Sequence, residues 1–433
     1  MYAPVVIDRK LVLEDYEATV RRYARRGVTE AAVAELRDAV TARRQSQRSV
    51  DDLRADLRRR SEAIGALMKD GKAAEAAEVR AAVGRLKEEL AVGERALVAA
   101  EEREQYLLLR TPNLPSDDAP DGLSEDANTI RSVHGYDEAA FAGRTWKPHW
   151  EVATALGIFD GERAGKISGS MFSLFFGDGA RLLRALVQFG LDLNRDRFVE
   201  VAPPHMVKTE VFVGTGHLPK FEADAYRLRD EDLWLIPTGE VSLMGIHRDE
   251  ILDVDELPRR YMAYTVCFRR EAGSAGKDTR GVQRLHEFHK VEMLELCTPE
   301  QVDAEFEAML AAAQRPLQLL GLPYRIVDLC CGDLTFSSAR IFDLEVYAPG
   351  VQRWLEVSSV GRFTDFQARR GNIRFRRGAG KPELVHALNG SALATPRVWA
   401  AIIEHGQQDD GSVRIPAPLV PYMGGQDVIT RRI

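Results

Sequence analysis

The chain has 433 residues, of which 45% are hydrophobic and 29% are charged, and its formal net charge is −7. This length is more than one ordinary domain needs, and the composition is typical of a globular protein rather than of a disordered or fibrous one. The sequence opens without a signal-peptide pattern and contains no run of about 18 apolar residues, so we expect a cytoplasmic protein without a membrane segment.

The four cysteines are not arranged for a metal site or for a disulfide framework. They stand at positions 267, 297, 330 and 331, and none belongs to a CxxC pair. Two adjacent cysteines rarely bridge each other, so we expect all four to be small core residues. The acidic net charge argues against a nucleic-acid partner only on average, because binding depends on local patches of charge.

Residues 29–110 are typical of a long helical segment with one break. They are rich in Ala, Glu, Arg and Leu, and they contain no proline. Apolar residues recur every three or four positions in two halves: Leu36, Val40, Val50, Leu57, Ile64 and Met68, then Val79, Val83, Leu86, Leu90 and Leu97. Between the halves lies Asp70-Gly71, where the glycine can take the left-handed conformation that ends a helix. The pattern predicts an antiparallel two-helix coiled coil with about 40 residues in each helix and a length of about 60 Å.

Arginine is in excess on the first of these helices. Between positions 43 and 60 there are seven arginines and three aspartates. Arg43, Gln47, Arg54 and Ser61 fall on heptad seam positions, so we expect the helix pairing to be loose in places. Such a run of charge is usually a solvated helix face, and a phosphate-binding surface is the alternative.

A second domain is expected after the helical segment ends at Arg110, because the string TPNLPSDDAPDGLSED that follows is typical of a linker. Beyond it we predict a helix over 178–194, a strand in VEVAPP, and short strands over 233–236, 260–269, 288–296, 324–327, 344–347 and 353–358. Strands this close together favour an antiparallel sheet flanked by helices, the α+β class. No strand leads into GxGxxG or GxxxxGKS/T, so neither a dinucleotide fold nor a P-loop is indicated.

The stretch FRREAGSAGKDTRGVQRLHEFHKVEML, residues 268–294, joins two strand-like ends by a glycine-rich, cationic middle. This arrangement suits a mononucleotide, because guanidinium groups can hold phosphate oxygens and Phe288 can stack on a base. The segment by itself fits a hairpin with solvated charges equally well.

The same stretch, written FRxEAGSAGxDTRGxxRxHxFxKVE, resembles motif 2 of the class II aminoacyl-tRNA synthetases, and in particular that of the seryl-tRNA synthetases. The resemblance extends to PNLP, HWE, GDGARL, VAPP, GTGHLPKF, PTGE, DFQARR, LNGSALATPR and PYMGG. It implies a class II catalytic domain over residues 113–433, a tRNA-binding coiled-coil arm over residues 1–112, and a homodimer formed near residues 178–204. It also implies a two-step reaction, in which serine and ATP give seryl-adenylate and pyrophosphate before tRNA(Ser) accepts the seryl group.

The resemblance assigns expected roles to individual residues. Arg269 and Arg397 are the expected catalytic residues, with Arg269 holding the α-phosphate and the serine carboxylate and Arg397 lying near the γ-phosphate. The expected ATP-binding residues are Arg269, Arg270, Glu271, Phe288, Glu356, Val357, Ser358, Ser359 and Arg397, with Glu356 and Ser359 as ligands of Mg²⁺. The expected serine-binding residues are Thr238, Gly239, Glu240, Arg269, Glu292, Asn389 and Ser391. The expected tRNA-binding residues are Arg43, Arg44, Arg48, Arg54 and Arg58.

A few positions depart from the strings that are usual in this family. Val360, Gly361 and Arg362 replace Cys, Ser and Asn, Ala387 replaces the threonine before LNGS, and Arg270 replaces the serine of FRSE. A hydroxyl lost from a serine pocket can weaken binding by about 1 to 3 kcal/mol. Ala387 could therefore weaken serine recognition, enlarge the pocket for another substrate or exclude an inhibitor.

Three hypotheses follow from these features. The chain is a seryl-tRNA synthetase, including an inhibitor-resistant duplicate; or a ligase that activates a different amino acid or loads a carrier protein; or an inactive scaffold. The coiled-coil arm favours the first hypothesis over the second. The retained phosphate-binding and metal-binding groups count against the third.

Overall fold

The computed structural model describes residues 7–272 and 280–431. The middle of the motif 2 stretch, residues 273–279, lies outside the described residues. The chain divides into two compact units, residues 1–111 and residues 112–433.

The first unit is helical and contains α1 (Arg9–Glu14), α2 (Tyr16–Ala24), α3 (Glu30–Lys69) and α4 (Ala73–Arg110). Helix α3 begins after Thr29, whose side chain accepts a hydrogen bond from the Ala32 amide at 3.3 Å, as an N-cap residue does. It ends at Asp70, and Gly71 has a left-handed φ of 71°. The two long helices and the break at Asp70-Gly71 confirm the prediction from the apolar pattern.

Helices α3 and α4 run antiparallel. Arg103, late in α4, pairs with Glu35, early in α3, whereas Arg54 donates to Glu94 at 2.8 Å closer to the turn. The buried apolar residues of this pair include Val33, Leu36, Val40, Val50, Leu86, Leu97 and Leu108. Met68, beside the turn, is 49% exposed, so this residue of the apolar pattern is only half covered by the helix pair.

One charged side chain is buried within this unit. Glu104 of α4 is 4% accessible and accepts hydrogen bonds from Arg9 at 2.8 and 2.9 Å. The Arg43 guanidinium of α3 lies 3.5 Å from the same carboxylate. Because a buried carboxylate is tolerated only when it is paired and hydrogen-bonded, we assign Arg43 to the internal packing of the helix pair.

The second unit is an α+β fold. Its helices are α5 (His149–Leu156), α6 (Gly161–Ser168), α7 (Gly177–Asn194), α8 (Thr209–Gly214), α9 (Gly239–Gly245), α10 (Val302–Leu320), α11 (Phe366–Gly371) and α12 (Thr395–Gly406). Its strands are β1 (Thr129–His134), β2 (Val199–Glu200), β3 (Met206–Val207), β4 (Tyr226–Arg227), β5 (Trp234–Leu235), β6 (Ile251–Asp253), β7 (Arg259–Phe268), β8 (Glu287–Cys297), β9 (Tyr324–Asp328), β10 (Arg340–Ala348), β11 (Arg353–Thr364), β12 (Arg374–Arg376), β13 (Glu383–Leu384), β14 (His386–Ala394), β15 (Val413–Arg414) and β16 (Val428–Ile429).

An eight-stranded sheet in the order β1-β9-β10-β11-β14-β8-β7-β2 forms the centre of this unit. Neighbouring strands in it are antiparallel except for β2 and β7. The predicted fold class is confirmed, and the six short predicted strands correspond to β5, β7, β8, β9, β10 and β11. The sequence patterns did not indicate β1, or β14, which lies between β11 and β8.

The two faces of the main sheet have different surroundings. On β8, Val291 and Met293 pack into a core shared with α7, α10 and α12, whereas Glu292 and Leu294 lie on the opposite face. Side chains alternate between faces along a strand. Polar residues at every second position therefore gather on the face turned away from the main core.

All four cysteines are buried, as expected for small core residues. No helix within residues 7–272 and 280–431 combines the length and the apolar character needed to cross a bilayer.

Candidate active site

A cavity of about 570 Å³ opens on the polar face of the main sheet. Its walls come from stretches far apart in sequence: the PTGE turn with β7 and β8, the middle of β11, and β14 with the start of α12. The expected site residues that line it are Thr238, Glu240, Arg269, Glu271, Phe288, Glu292, Glu356, Ser358, Ser359, Asn389, Ser391 and Arg397. The fold thus brings Arg269, Glu356 and Arg397 to one cavity.

One end of the cavity is anionic and hydrogen-bonded. Thr238 caps α9 by accepting from the Glu240 amide at 3.3 Å, and its hydroxyl donates to the Glu292 carboxylate at 2.5 Å. Gly239 lies where β7 and β8 approach α9, and a Cβ there would be 3.0 Å from the Glu292 Cβ and from the Thr265 hydroxyl. The absence of a side chain at Gly239 therefore lets α9 pack close to β8, which brings the Glu240 and Glu292 carboxylates near each other.

Lys290 belongs to the same end, although the sequence pattern gave it no role. Its ammonium donates to the Thr238 hydroxyl at 2.8 Å and contacts the Glu292 carboxylate. Phe288, Lys290 and Glu292 occupy alternate positions of β8, so the strand period was the signal that could have placed Lys290 in the site. The lysine supplies the positive charge that two buried carboxylates require.

Burial shifts the pKa values of two side chains at this end of the cavity, Glu240 and His217. Burial, followed by the nearby Glu292 carboxylate, raises the pKa of Glu240 to about 7, although the Gln367 amide donates to it and Lys290 is close. His217 also lines the cavity, and burial together with Arg269 and Lys290 lowers its pKa to about 3. His217 is therefore neutral near pH 7, whereas Glu240 is divided between two protonation states.

The other end of the cavity is cationic and aromatic. The Arg269 guanidinium lies 5.0 Å from the centre of the Phe288 ring, and its Nε donates to the Pro237 carbonyl at 3.2 Å. Glu271 has a left-handed φ of 51° and accepts from Arg284 at 2.5 Å. A non-glycine residue in this conformation is uncommon, and such residues occur preferentially at functional sites.

Arg397, at the start of α12, connects two walls of the cavity. Its Nε donates to the Gln283 carbonyl at 3.0 Å, and its Nη1 donates to the Glu356 carbonyl at 2.7 Å and lies 3.5 Å from the Glu356 carboxylate. The guanidinium is thus fixed between the stretch that precedes β8 and the strand β11.

The donor set beside Arg397 suits a hard cation that arrives with other ligands. The Glu356 carboxylate is 48% accessible, and Ser359 lies three residues further along β11, opposite Asp343 of β10. Burial and the Glu356 charge raise the pKa of Asp343 well above its ordinary value, which disfavours its ionised form. In the part of the chain that the structure describes, no group of three His, Cys, Asp or Glu side chains could hold a metal ion. Two protein oxygens fit Mg²⁺, which keeps waters and substrate phosphates in its coordination sphere.

Two family models match the chain. One, described as the seryl-tRNA synthetase N-terminal domain, matches residues 6–115, and the other, described as the tRNA synthetase class II core domain (G, H, P, S and T), matches residues 220–406. The curated serine--tRNA ligase of Bacillus cereus (strain AH187) is 52% identical over 333 residues, which are 76% of this chain and 78% of that protein. The chain belongs to the seryl-tRNA synthetase family.

Solved seryl-tRNA synthetases have the same fold. The Pyrococcus horikoshii enzyme, crystallised with ATP, is 34% identical with a TM-score of 0.89, and the match covers 99% of this chain and 100% of that one. The cytoplasmic serine-tRNA ligase of Naegleria fowleri, solved with AMP, is 25% identical with a TM-score of 0.85 over 98% and 99% of the two chains. The resemblance seen in the sequence motifs is confirmed.

Among the positions that depart from the usual seryl-tRNA synthetase strings, only Gly361 lines the cavity. Val360 and Ala387 are fully buried in apolar clusters, and Arg362 donates to Asp118 at 2.6 Å. A Cβ at Gly361 would come within 2.7 Å of the Phe363 ring, so a side chain there would require this ring to move. The structure therefore gives no support to an altered serine pocket caused by Ala387.

Some expected site residues do not present side chains to the cavity. Val357 is 2% exposed and packs in the main core, so it could meet a nucleotide only through its backbone. Arg270 is exposed, and its amide donates to the Asp224 carbonyl at 2.8 Å. Gly239 lies beneath the cavity and contributes by its lack of a side chain.

Proposed function

We propose that this seryl-tRNA synthetase family member activates L-serine with ATP to form seryl-adenylate and then transfers the seryl group to tRNA(Ser). The observation that carries the proposal is one cavity lined by Arg269, which follows β7, by Arg397 of α12, and by carboxylates of α9 and β8. Guanidinium groups suit phosphate oxygens, and carboxylates suit an ammonium group. If the ammonium group of serine lies at the anionic end and the ATP phosphates lie at the cationic end, the serine carboxylate lies next to the phosphates.

In the first step an oxygen of the serine carboxylate attacks the α-phosphorus of ATP, and pyrophosphate leaves. Arg269 borders the Phe288 ring on which the adenine stacks, which supports its role in holding the α-phosphate and the serine carboxylate. Arg397, fixed by Gln283 and Glu356, is assigned to the γ-phosphate. Negative charge develops on the phosphoryl oxygens, and preorganised cations stabilise that charge.

Glu356 and Ser359 are assigned to Mg²⁺ that binds together with ATP. When bound, the ion neutralises charge on the phosphate oxygens. The exposed carboxylate of Glu356 and the small number of protein ligands support this assignment.

Serine recognition is assigned to the anionic end of the cavity. Glu240 and Thr238 face the substrate ammonium, and Glu292 faces the serine hydroxyl, with Asn389 and Ser391 closing the same wall. The hydrogen bonds among Thr238, Lys290 and Glu292 fix these acceptors before the substrate arrives.

The pKa of Glu240 predicts a pH dependence for serine use. Below pH 7 this carboxyl is largely protonated and cannot pair with an ammonium group, so kcat/KM for serine should rise about tenfold from pH 6 to pH 8. His217, with a pKa of about 3, does not change its charge in this range. Serine-dependent pyrophosphate exchange at low serine concentration, measured across this range with saturating ATP, tests the prediction. A flat profile would contradict it, and the Glu240→Asp variant should shift the rise to lower pH if Glu240 is its source.

We propose that three of the expected arm arginines contact tRNA. Arg44, Arg48 and Arg58 are exposed and, at about 100° per residue, lie within about 80° of one another around α3. Arg43 and Arg54 instead pair with Glu104 and Glu94 of α4. Aligned cations on one helix face suit a phosphate backbone.

The triple variant Arg44→Glu, Arg48→Glu, Arg58→Glu should raise KM for tRNA(Ser) by about tenfold or more, because three phosphate contacts are lost. Pyrophosphate exchange should be unchanged, since it does not use tRNA. The matched triple arginine-to-lysine variant keeps the charges and should stay within about threefold of the wild type. Equal losses in aminoacylation and exchange would show that the arm variant acts through folding.

We also propose a homodimer that acts in the cytoplasm. Strand β2 is the last strand of the main sheet, and its Val199 is 63% exposed, which leaves an edge for pairing with a second copy. The apolar residues of α7 are largely used in the intrachain core, so this helix contributes less to such an interface than its pattern indicated. Light scattering should give the mass of two chains, and Val199→Asp should shift the mass toward one chain; a monomeric wild type would contradict the proposal.

Pyrophosphate exchange with each standard amino acid, followed by aminoacylation of tRNA(Ser), tests the proposed function. We expect exchange with serine and charging of tRNA(Ser). Exchange with another amino acid, or exchange with serine but no charging, would replace the proposal by the ligase hypothesis.

A further inference from the structure

A fully buried histidine lies behind the stretch that leads into β8. His149, the first residue of α5, has no exposed surface. The Val282 amide donates to its Nε2 at 3.1 Å, and its Nδ1 lies 2.9 Å from the Glu404 carboxylate. A backbone amide can only donate, so Nε2 accepts, and the ring proton must be on Nδ1 and point to Glu404. The ring is therefore held at both nitrogens.

Glu404, in the last turn of α12, is also fully buried. Besides the His149 ring it accepts the His149 amide at 3.0 Å and the Gly350 amide at 2.8 Å. Three N–H groups are therefore directed at this carboxylate and hold it in one orientation. This carboxylate thus fixes the tautomer and the orientation of the histidine.

The contact between His149 and the Val282 stretch is tight. Gly281 has a φ of 65°, and a Cβ at this position would lie 2.1 Å from the His149 Nε2 and 2.8 Å from the Trp150 ring. Only glycine lets the backbone pass this close to the ring and take this conformation at the same time.

Helix α12 holds this stretch at two places. Arg397 in its first turn binds the Gln283 carbonyl at 3.0 Å, and Glu404 in its last turn orients His149, which binds the adjacent Val282 amide. Arg284, which follows Gln283, pairs with Glu271. Displacement of Val282 would therefore move the carbonyl that orients Arg397 and the arginine that orients Glu271.

We propose that His149, supported by Glu404, is a positioning residue for the nucleotide end of the active site. This inference rests on the proposed function. His149 touches no substrate, and it acts by fixing residues 281–284, and through them Arg397 and Glu271. The anionic end, built from α9 and the middle of β8, does not depend on this contact.

The test compares His149→Leu with His149→Gln and with His405→Leu. The glutamine amide can accept from the Val282 amide and donate to Glu404, whereas leucine can do neither. His405 is a control, because it is a half-buried α12 histidine whose Nε2 bonds to the Tyr347 carbonyl at 2.7 Å rather than to residues 281–284. Tm, and kcat and KM for ATP and for serine in pyrophosphate exchange, are measured for each variant.

We expect His149→Leu to lower kcat/KM for ATP by about tenfold or more, with KM for serine within about twofold of the wild type. His149→Gln should recover most of the loss, and His405→Leu should lower Tm without changing kcat/KM for ATP. If His149→Leu does not fold, Gly281→Ala supplies the test, because the added methyl group forces residues 281–284 and the His149 ring apart. Equal changes for both substrates, or equal changes in the His149 and His405 variants, would overturn the inference. Wild-type protein without serine-dependent exchange would refute the proposed function instead.

Discussion

Replacement of Arg269 by glutamine is expected to lower kcat/KM for ATP in serine-dependent pyrophosphate exchange by about a thousandfold. The guanidinium lies beside the Phe288 ring in the cavity, where it can meet both the α-phosphate and the serine carboxylate. Glutamine can still donate to the Pro237 carbonyl, but it has no charge with which to stabilise the developing phosphoryl charge. The loss should appear in kcat as well as in KM, because the interaction strengthens in the transition state.

Arg269→Lys tests whether the paired N–H donors of the guanidinium are needed, and Arg248→Gln is the control. Arg269→Lys keeps the charge but not the paired donors, so we expect it to recover only a small part of the activity. Arg248→Gln removes a half-buried arginine that pairs with Glu210 at 2.6 Å, outside the cavity, and should leave the exchange rate unchanged. A loss of less than about tenfold in Arg269→Gln would show that this residue does not contact the reacting phosphate.

The second large effect is expected for Glu240→Gln, which should raise KM for serine by about a hundredfold or more while KM for ATP stays within about threefold. The Glu240 carboxylate is buried in the first turn of α9, and the substrate ammonium is assigned to it. Glutamine keeps the acceptor that takes the Gln367 hydrogen bond but cannot neutralise an ammonium group.

The same Glu240→Gln change that weakens serine binding should make the folded protein more stable. A carboxyl whose pKa is raised in the folded state stabilises the fold fully below its unfolded pKa and loses that contribution as pH rises through the folded pKa of about 7. The ionised form therefore costs about 3 kcal/mol at pH 8, and Glu240→Gln should raise Tm at that pH. Loss of serine binding together with higher stability is the expected signature of a residue kept for function.

Glu295→Gln is the matched control for this prediction. Glu295 is also buried on β8, and its pKa is raised to about 8, mainly by burial, but it faces Arg197 and Arg260 rather than the cavity. Its replacement should leave KM for serine within about twofold. A similar rise in KM for serine in both variants would indicate that the effect comes from disturbance of β8.

The helical arm and the long strands were predictable because their patterns are local. The apolar spacing of residues 29–110 and the helix-ending glycine at position 71 give α3 and α4, and the alternating runs give β7 and β8. The sequence HALNGSALA of β14 was not recognised, since Ala, Gly and Asn are poor strand formers. Its pairing with β8 on one side and β11 on the other places it in the sheet.

The candidate site was predictable only where a motif gave the residues. Lys290 was missed because one lysine within a strand-like run is usually solvated, and its partners Thr238 and Glu292 become visible only when α9 packs on β8. The arm arginines show the same limit. Composition identified the cluster, but the contacts with Glu104 and Glu94 decide which arginines face α4 and which face outward.

A crystal structure with a non-hydrolysable sulfamoyl analogue of seryl-adenylate tests most directly whether groups from separate segments act on one substrate. We predict the adenine on the Phe288 ring, the sulfamoyl group within hydrogen-bond distance of Arg269, and the seryl ammonium between Glu240 and Thr238. An analogue bound outside this cavity, or bound in it with the seryl group away from Glu240, would contradict the assignment.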